Sequence, residues 1–148
     1  MSSAVDILLV EDNPDDLALV LRALRRHQLA DRVEVAHDGA EALDFLFCTG
    51  LYAHRNAEDC PKVILLDLKL PKVSGLELVG RLKADARTRA IPVVILTSSA
   101  QEYDVVESYK LGVNSYIVKP LHLNDLTEAI GQIGRYWLGL NHPHPRPL

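Results

Sequence analysis

Short runs of consecutive apolar residues recur along the chain at intervals that fit buried β-strands. Four of them consist almost entirely of branched or aliphatic side chains: residues 7–10, 63–66, 93–96 and 116–118. Continuous apolar runs of this length are typical of parallel strands that are covered on both faces. A fifth segment, residues 32–35, alternates charged and apolar side chains. This alternation indicates a strand at the edge of a sheet.

Helical patterns separate these predicted strands. After Asn13-Pro14, apolar side chains recur at the 3-4 spacing of an amphipathic helix, and Pro14 suits its first turn. Ser74 and Glu77 form a capping box that opens another helix. Together with three further segments, the pattern predicts helices that begin near residues 14, 39, 74, 101 and 122.

Strands and helices thus alternate five times, which predicts an α/β fold with right-handed crossovers. The alternating strand at one edge favours the flavodoxin-like, doubly wound five-stranded parallel sheet, in the order 2-1-3-4-5. We expect one domain over residues 1–140 and a flexible tail rich in proline and histidine over residues 141–148. The polar connection 48–62 is an insert outside this core.

Composition and charge narrow the function classes. The chain has 148 residues, of which 48% are hydrophobic and 24% charged, as in soluble globular proteins. Its formal net charge of -4, without a clustered basic patch, argues against nucleic acid as a partner. No signal peptide or membrane span is visible, so we expect a cytoplasmic protein whose Cys48 and Cys60 stay reduced.

Polar residues that carry chemistry follow four of the predicted strands. Glu11 and Asp12 follow the first strand, Asp67 the third, Thr97 lies at the end of the fourth, and Lys119 follows the fifth. In an open parallel sheet, ligands bind outside the carboxyl ends of the strands. We therefore expect three carboxylates, a hydroxyl and an ammonium to meet at one edge of the sheet.

Three converging carboxylates indicate a metal site. A single acidic residue after a strand is often only a helix cap, but carboxylates at ~4 Å repel by ~4 kcal/mol at an effective dielectric constant near 20. Such a cluster persists with a bound cation or with shifted pKa values. Hard carboxylate oxygens suit Mg²⁺, which binds through few protein ligands and keeps several waters.

These residues resemble the receiver domain of two-component response regulators. The resemblance covers roughly residues 5 to 138 and is carried, in order, by five motifs: residues 10–13, 65–68, Pro71 with Gly75, 96–98 and 116–120. It implies that Asp67 accepts a phosphoryl group from phosphohistidine.

The same resemblance implies a role for each remaining residue of the site. Asp12 would bind Mg²⁺ directly, Glu11 mainly through water, and the backbone carbonyl of Lys69 would be a further ligand. Lys119 would pair with a phosphoryl oxygen, and the peptide bond that joins it to Pro120 is expected to be cis.

The resemblance also implies a switch. Thr97 would move its hydroxyl onto the new phosphoryl group, and Tyr116 would rotate inward to fill the space that is vacated. Phosphorylation is then a local electrostatic event that biases a two-state surface.

Two further features resemble the small regulators that partner phytochrome-type sensor histidine kinases: the insert with Tyr52, and the aromatic pair Tyr136-Trp137. A sensor histidine kinase, possibly red-light-sensing, is therefore the expected phosphoryl donor. The chain ends soon after the fifth predicted helix, so we expect no fused output domain and an output through protein contacts.

The fifth predicted helix carries an apolar stripe that extends beyond its first turns. Its first members, Leu123, Leu126, Ile130 and Ile133, are expected to face the core, whereas Trp137 and Leu140 would be exposed in a monomer. Exposed apolar patches often mark interfaces. We therefore predict a homodimer through this helix and its extension, with an interface that includes the residues Leu126, Ile130, Ile133, Trp137 and Leu140.

Other function classes fit the sequence less well. A haloacid-dehalogenase-type phosphatase would need a second aspartate two residues after Asp67, where this chain has Lys69. A nucleotide-binding protein would need a glycine-rich phosphate loop after the first strand. A phosphorylation-independent scaffold on the same fold stays open as an alternative. The prediction is a phosphoacceptor signalling protein rather than an enzyme.

Overall fold

The computed structural model describes residues 5–56 and 59–145. One parallel sheet runs through it in the order β2-β1-β3-β4-β5, as predicted. The strands are β1 Ile7–Val10, β2 Val33–Ala36, β3 Val63–Leu66, β4 Val93–Thr97 and β5 Ser115–Val118. The helices are α1 Pro14–Arg26, α2 Gly39–Phe47, α3 Gly75–Ala84, α4 Glu102–Leu111 and α5 Leu123–Gly134. Fold class and strand order therefore agree with the sequence analysis.

The core lies on both faces of the sheet, because successive residues of a strand point to opposite sides. On one face, Leu8 and Ile64 pack with residues of α2 and α3. On the other face, Ile7 and Leu65 pack with residues of α1 and α5. The three central strands β1, β3 and β4 are buried throughout, which explains their continuous apolar sequences.

Side-chain caps fix where three of the helices begin. Asn13 accepts hydrogen bonds from the backbone N–H groups of Asp15 and Asp16 at the start of α1. Asp38 caps α2 in the same way, and Ser74 accepts the N–H of Glu77 at the start of α3. These caps satisfy N–H groups that have no partner inside the helix.

Two glycines of α5 let it pack closely against the end of α1. A Cβ atom at Gly131 would lie 2.5 Å from the ring of His27, and one at Gly134 would lie 2.3 Å from Leu29. The Nε2 atom of His27 also lies 2.9 Å from the carbonyl oxygen of Thr127. These contacts hold α1 and α5 side by side on one face of the sheet.

The structure corrects some expectations at the carboxyl-terminal side of the chain. The last strand, β5, is an edge strand and is only half-buried, although its apolar sequence predicted burial on both faces. Leu123, expected in the core, is exposed, because it is the first residue of α5. The bond between Lys119 and Pro120 is trans, so the cis expectation is wrong. An X–Pro bond favours the trans isomer by only about 0.5–1 kcal/mol, so local packing determines whether the bond is cis or trans.

The fifth helix continues into a π-helical segment, Arg135–Leu140. Trp137 is half-buried and packs against the core on the α1 side, and its ring makes an edge contact with that of Tyr136. Leu140 is 73% exposed. Residues 146–148 of the predicted tail lie outside the described residues, and the flexibility of the tail stays a prediction. No described helix is long and apolar enough to cross a membrane.

Candidate phosphoacceptor site

The sheet register brings the predicted site residues to one edge. Val10 lies opposite Leu66 in the pairing of β1 with β3, and Thr97 lies opposite Val118 in the pairing of β4 with β5. The residues that directly follow these positions therefore leave the sheet side by side. This places Glu11, Asp67, Thr97 and Lys119 within hydrogen-bond distance of at least one other member of the set.

Lys119 is the centre of the site. Its Nζ atom donates to Oε1 of Glu11 at 2.6 Å, to Oδ2 of Asp67 at 3.0 Å and to Oδ2 of Asp16 at 3.3 Å. The Lys119 side chain is 9% exposed. Three formal negative charges thus surround one buried positive charge, which leaves the group negative overall.

The second carboxylate oxygen of Asp67 has its own donors. Oδ1 accepts the hydroxyl of Thr97 at 3.0 Å and the backbone N–H of Lys69 at 3.1 Å. The loop after β3, which carries Asp67 and Lys69, is packed tightly against α3, where a Cβ atom at Gly75 would lie 2.5 Å from Leu68 Cα and 2.8 Å from the Asp67 carbonyl oxygen. Gly75 therefore permits the close approach that fixes Asp67.

Burial and charge act in opposite directions on the ionisable groups. Burial opposes ionisation of Asp67, but the N–H of Lys69 and the ammonium of Lys119 together hold the pKa of Asp67 below its ordinary value. Burial raises the pKa of Glu11 in spite of its bond to Lys119. Burial also favours a neutral Lys119, but Glu11 and Asp67 outweigh it and raise the pKa of Lys119. Asp67 is therefore an anion, and Lys119 a cation, at neutral pH.

Among the described residues, the carboxylates whose oxygens lie within 4.8 Å of one another belong to Glu11, Asp16 and Asp67. Asp12, which the sequence analysis chose as a direct metal ligand, is exposed and is not a member of this group. Asp16 was missed because it lies in a helix rather than at the end of a strand. The cap by Asn13 shows in the sequence where α1 begins, but not that its first turn reaches Lys119.

The donor set fits a hard divalent cation. Carboxylate oxygens are the ligands that Mg²⁺ and Mn²⁺ prefer, and the negative charge left after pairing with Lys119 would attract a divalent ion. The Lys69 backbone contributes its N–H to Asp67, whereas ligation by its carbonyl oxygen stays a prediction.

Tyr116, the predicted switch residue, is tied to the loop after β4. Its hydroxyl donates to the carbonyl oxygen of Ser99 at 2.8 Å, and the Ser99 hydroxyl donates to Asp104 on α4 at 2.6 Å. The Ser99 N–H in turn points to the hydroxyl of Thr97 at 3.5 Å. A continuous set of polar contacts therefore connects Asp67 with β5 and α4. Asp104 is a member of this set that lies outside the sequence motifs.

The sequence profile of the response regulator receiver domain matches residues 7–131. The chain belongs to this family, whose members are phosphoacceptors in two-component signalling. It is 43% identical over 135 residues to a probable methanogenesis regulatory protein, FilR2, of Methanothrix harundinacea, covering 91% of this chain and 84% of that one. It is 39% identical over 132 residues to the response regulator Rcp1 of Synechocystis sp., covering 89% and 88%.

Solved structures show the same fold, and several of the similar ones are phytochrome response regulators. Phosphorylated cyanobacterial RcpA superimposes with a TM-score of 0.86 at 38% identity, over 95% of this chain and 99% of that one. The bacteriophytochrome response regulator AtBRR is 53% identical with a TM-score of 0.74, over 95% and 100%. The Mn²⁺-bound form of Rcp1 gives 0.84 at 37% identity, over 95% and 99%. The receiver prediction is therefore confirmed at the level of the family.

Proposed function

We propose that Asp67 is the residue of this response regulator that accepts the phosphoryl group. The observation that carries the proposal is the geometry around its carboxylate: one oxygen is held by Thr97 and the Lys69 N–H, and the other faces Lys119. A carboxylate with a lowered pKa stays an anion and can act as a nucleophile.

In the proposed reaction, a carboxylate oxygen of Asp67 forms a bond to phosphorus. The bond from phosphorus to the donor nitrogen breaks, and the imidazole leaves with the electron pair. Phosphoryl transfer requires mainly positioning and neutralisation of charge. Lys119 supplies one positive charge to the phosphoryl oxygens.

We propose Mg²⁺ as the resident cation, held by Glu11, Asp12 and Asp67. When bound, the ion neutralises charge on the phosphoryl oxygens. Two observations support the proposal: the cluster of carboxylate side chains at this site, and the existence of an Mn²⁺-bound form of the related Rcp1. The residues of this chain position the acceptor and keep Lys119 charged, and we propose no further enzymatic activity.

We propose a phytochrome-type sensor histidine kinase as the donor, because RcpA and AtBRR are phytochrome response regulators. In a competition between histidine kinases, transfer from a phosphorylated bacteriophytochrome should be faster than from kinases with other sensors. Equal rates from all donors would contradict this choice of partner without affecting the role of Asp67. A cytoplasmic location and an output through an unidentified protein partner remain part of the proposal.

The homodimer stays a prediction, and its interface is narrower than expected from the sequence. Leu126, Ile130 and Ile133 are buried against the sheet of their own chain. Trp137 and Leu140 at the end of the helix are the predicted members that retain exposed surface for a second copy.

The role of Asp67 can be tested with acetyl phosphate and Mg²⁺. We expect the intact mass to increase by one phosphoryl group, and hydroxylamine to remove that group, as is typical of an acyl phosphate. Asp67→Asn should abolish the modification. Asp125→Asn, an exposed acid in the first turn of α5, is the matched control and should leave it intact. Modification of the Asp67→Asn variant to the wild-type level would overturn the proposal.

A further inference from the structure

The ion pair between Asp16 and Lys119 joins the first turn of α1 to the buried cation of the site. At 3.3 Å it is the longest of the three contacts of the ammonium, against 2.6 Å to Glu11 and 3.0 Å to Asp67. The Asp16 side chain is 42% exposed, whereas the other two carboxylates are buried. Asp16 is thus the outermost and most loosely held partner of Lys119.

All N–H donors of the Lys119 ammonium are engaged in this structure. An ammonium group has three N–H donors, and the structure gives Lys119 three carboxylate acceptors. No N–H is left for a phosphoryl oxygen until one of these bonds is released. The bond to Asp16 is the easiest to release, because water can take the place of a partner at an exposed carboxylate.

We propose that Asp16 is a positioning residue that engages the third N–H of Lys119 until a phosphoryl group arrives. The inference rests on the proposed role of Asp67. In transfer from acetyl phosphate, a carboxylate oxygen of Asp67 bonds to phosphorus, the bond to the acetate oxygen breaks, and acetate leaves with the electron pair. No proton is transferred. One N–H of Lys119 turns from Asp16 to a phosphoryl oxygen.

This exchange has a kinetic consequence. The contact with Asp16 stabilises the resting state and is lost in the transition state, so it slows phosphorylation. Its loss in Asp16→Asn should raise the rate constant of phosphorylation by acetyl phosphate at saturating Mg²⁺ by about two- to fivefold, the range expected for one partly exposed ion pair. Asp16→Glu, which keeps the charge, should bring the rate back towards that of the wild type.

Asp15 provides a matched control. It lies in the same first turn of α1, its N–H is capped by the same Asn13 oxygen, and it is exposed. Asp15→Asn makes the same change in net charge next to Asp16, so it measures any general effect of charge on the approach of the anionic donor. We expect its rate to equal that of the wild type. Equal rates for Asp15→Asn and Asp16→Asn, or a slower Asp16→Asn, would overturn the inference.

A second measurement separates positioning from a merely structural effect. The ¹⁵N resonance of the Lys119 ammonium should shift in resting Asp16→Asn relative to the wild type. With beryllofluoride bound at Asp67, the resonances of the two proteins should coincide, because the N–H has already left Asp16. A difference that persists with beryllofluoride would overturn the inference. If the wild type itself is not phosphorylated at Asp67, the proposed function fails instead.

Discussion

The hydroxyl of Thr97 donates a hydrogen bond of 3.0 Å to Oδ1 of Asp67, and the same hydroxyl lies 3.5 Å from the backbone N–H of Ser99. One oxygen atom on β4 thus contacts both the proposed acceptor and the loop after β4. Ser99 of that loop is hydrogen-bonded to Tyr116 and to Asp104 on α4. The proposed phosphorylation of Asp67 would change the acceptor to which this hydroxyl is bonded. The response of the loop should therefore depend on the hydroxyl itself.

Thr97→Val keeps the shape of the side chain and removes the hydroxyl. We expect beryllofluoride to bind this variant. The amide chemical-shift changes that it causes over residues 98–104 and at Tyr116 should, however, be about half of the wild-type changes or less. The reason is that loss of a single hydrogen bond of about 1 kcal/mol shifts a two-state equilibrium severalfold. Thr97→Ser, which retains the donor, is the control. Shifts of wild-type size in Thr97→Val would show that the hydroxyl does not transmit the change.

Ser108 and Ser74 should respond in opposite directions to the same substitution. Within the described part of the chain, the Ser108 hydroxyl on α4 is fully buried and has no hydrogen-bond partner. Ser108→Ala should therefore stabilise the fold by ~1 kcal/mol. Ser74 caps α3, so Ser74→Ala should destabilise the fold by ~1 kcal/mol. Urea unfolding measures both changes, and destabilisation by Ser108→Ala would contradict the first.

Tyr52 should titrate well above the ordinary range of a tyrosine. Its hydroxyl lies 3.2 Å from a carboxylate oxygen of both Glu34 and Glu41. Burial, followed by the charge of these carboxylates, raises the pKa of Tyr52 to about 12. Because the folded-state pKa is raised, the stabilisation is complete below the unfolded value of about 10 and is lost as the pH rises from about 10 to 12.

Absorbance at the phenolate wavelength, measured after rapid pH jumps, can check this prediction. The titration curve of the wild type should contain one more phenol than that of Tyr52→Phe, and this phenol should ionise with a midpoint near pH 12. Circular dichroism on the same timescale establishes that the fold persists. A midpoint near pH 10 for that phenol would show that the contacts with the two carboxylates are absent in solution.

The predicted homodimer depends on the end of the fifth helix. Leu140 is 73% exposed there, and a second copy would bury it. Leu140→Asp should weaken self-association by about tenfold or more, since burial of one leucine side chain contributes about 1.5–3 kcal/mol. Leu121→Asp is the control, because Leu121 is 99% exposed but precedes α5 at its opposite end. Sedimentation at micromolar concentration distinguishes them, and a monomeric wild type would contradict the prediction.

The sequence was sufficient to predict the parallel sheet, its strand order and the residues at the strand ends, because buried strands are continuously apolar and end in polar side chains. The sequence could not show which of Glu11 and Asp12 points into the site. Successive residues of an extended chain point in different directions, and the structure shows Glu11 buried and Asp12 exposed. Asp16 was missed for a related reason, since the reach of a helical side chain over the sheet depends on how the helix packs.

The partial exposure of β5 also could not be deduced from its composition. Tyr116, Ile117 and Val118 form an apolar run like those of the buried strands, but β5 pairs only with β4 at the edge of the sheet. Likewise, the close packing of α5 on α1 depends on Gly131 and Gly134. Their role becomes evident only when the neighbouring helix is in place.

The position of Lys119 has a consequence for the order in which the chain can fold. Glu11 and Asp67 directly follow β1 and β3, whereas their cation follows β5, the last strand in the sequence. A ribosome-bound chain that has emerged only as far as β3 would bring two carboxylates together with no ammonium to pair with them. Such an intermediate is penalised electrostatically. Docking of the final strand therefore closes the sheet and supplies the charge that the earlier strands lack, which favours folding after most of the chain has been synthesised.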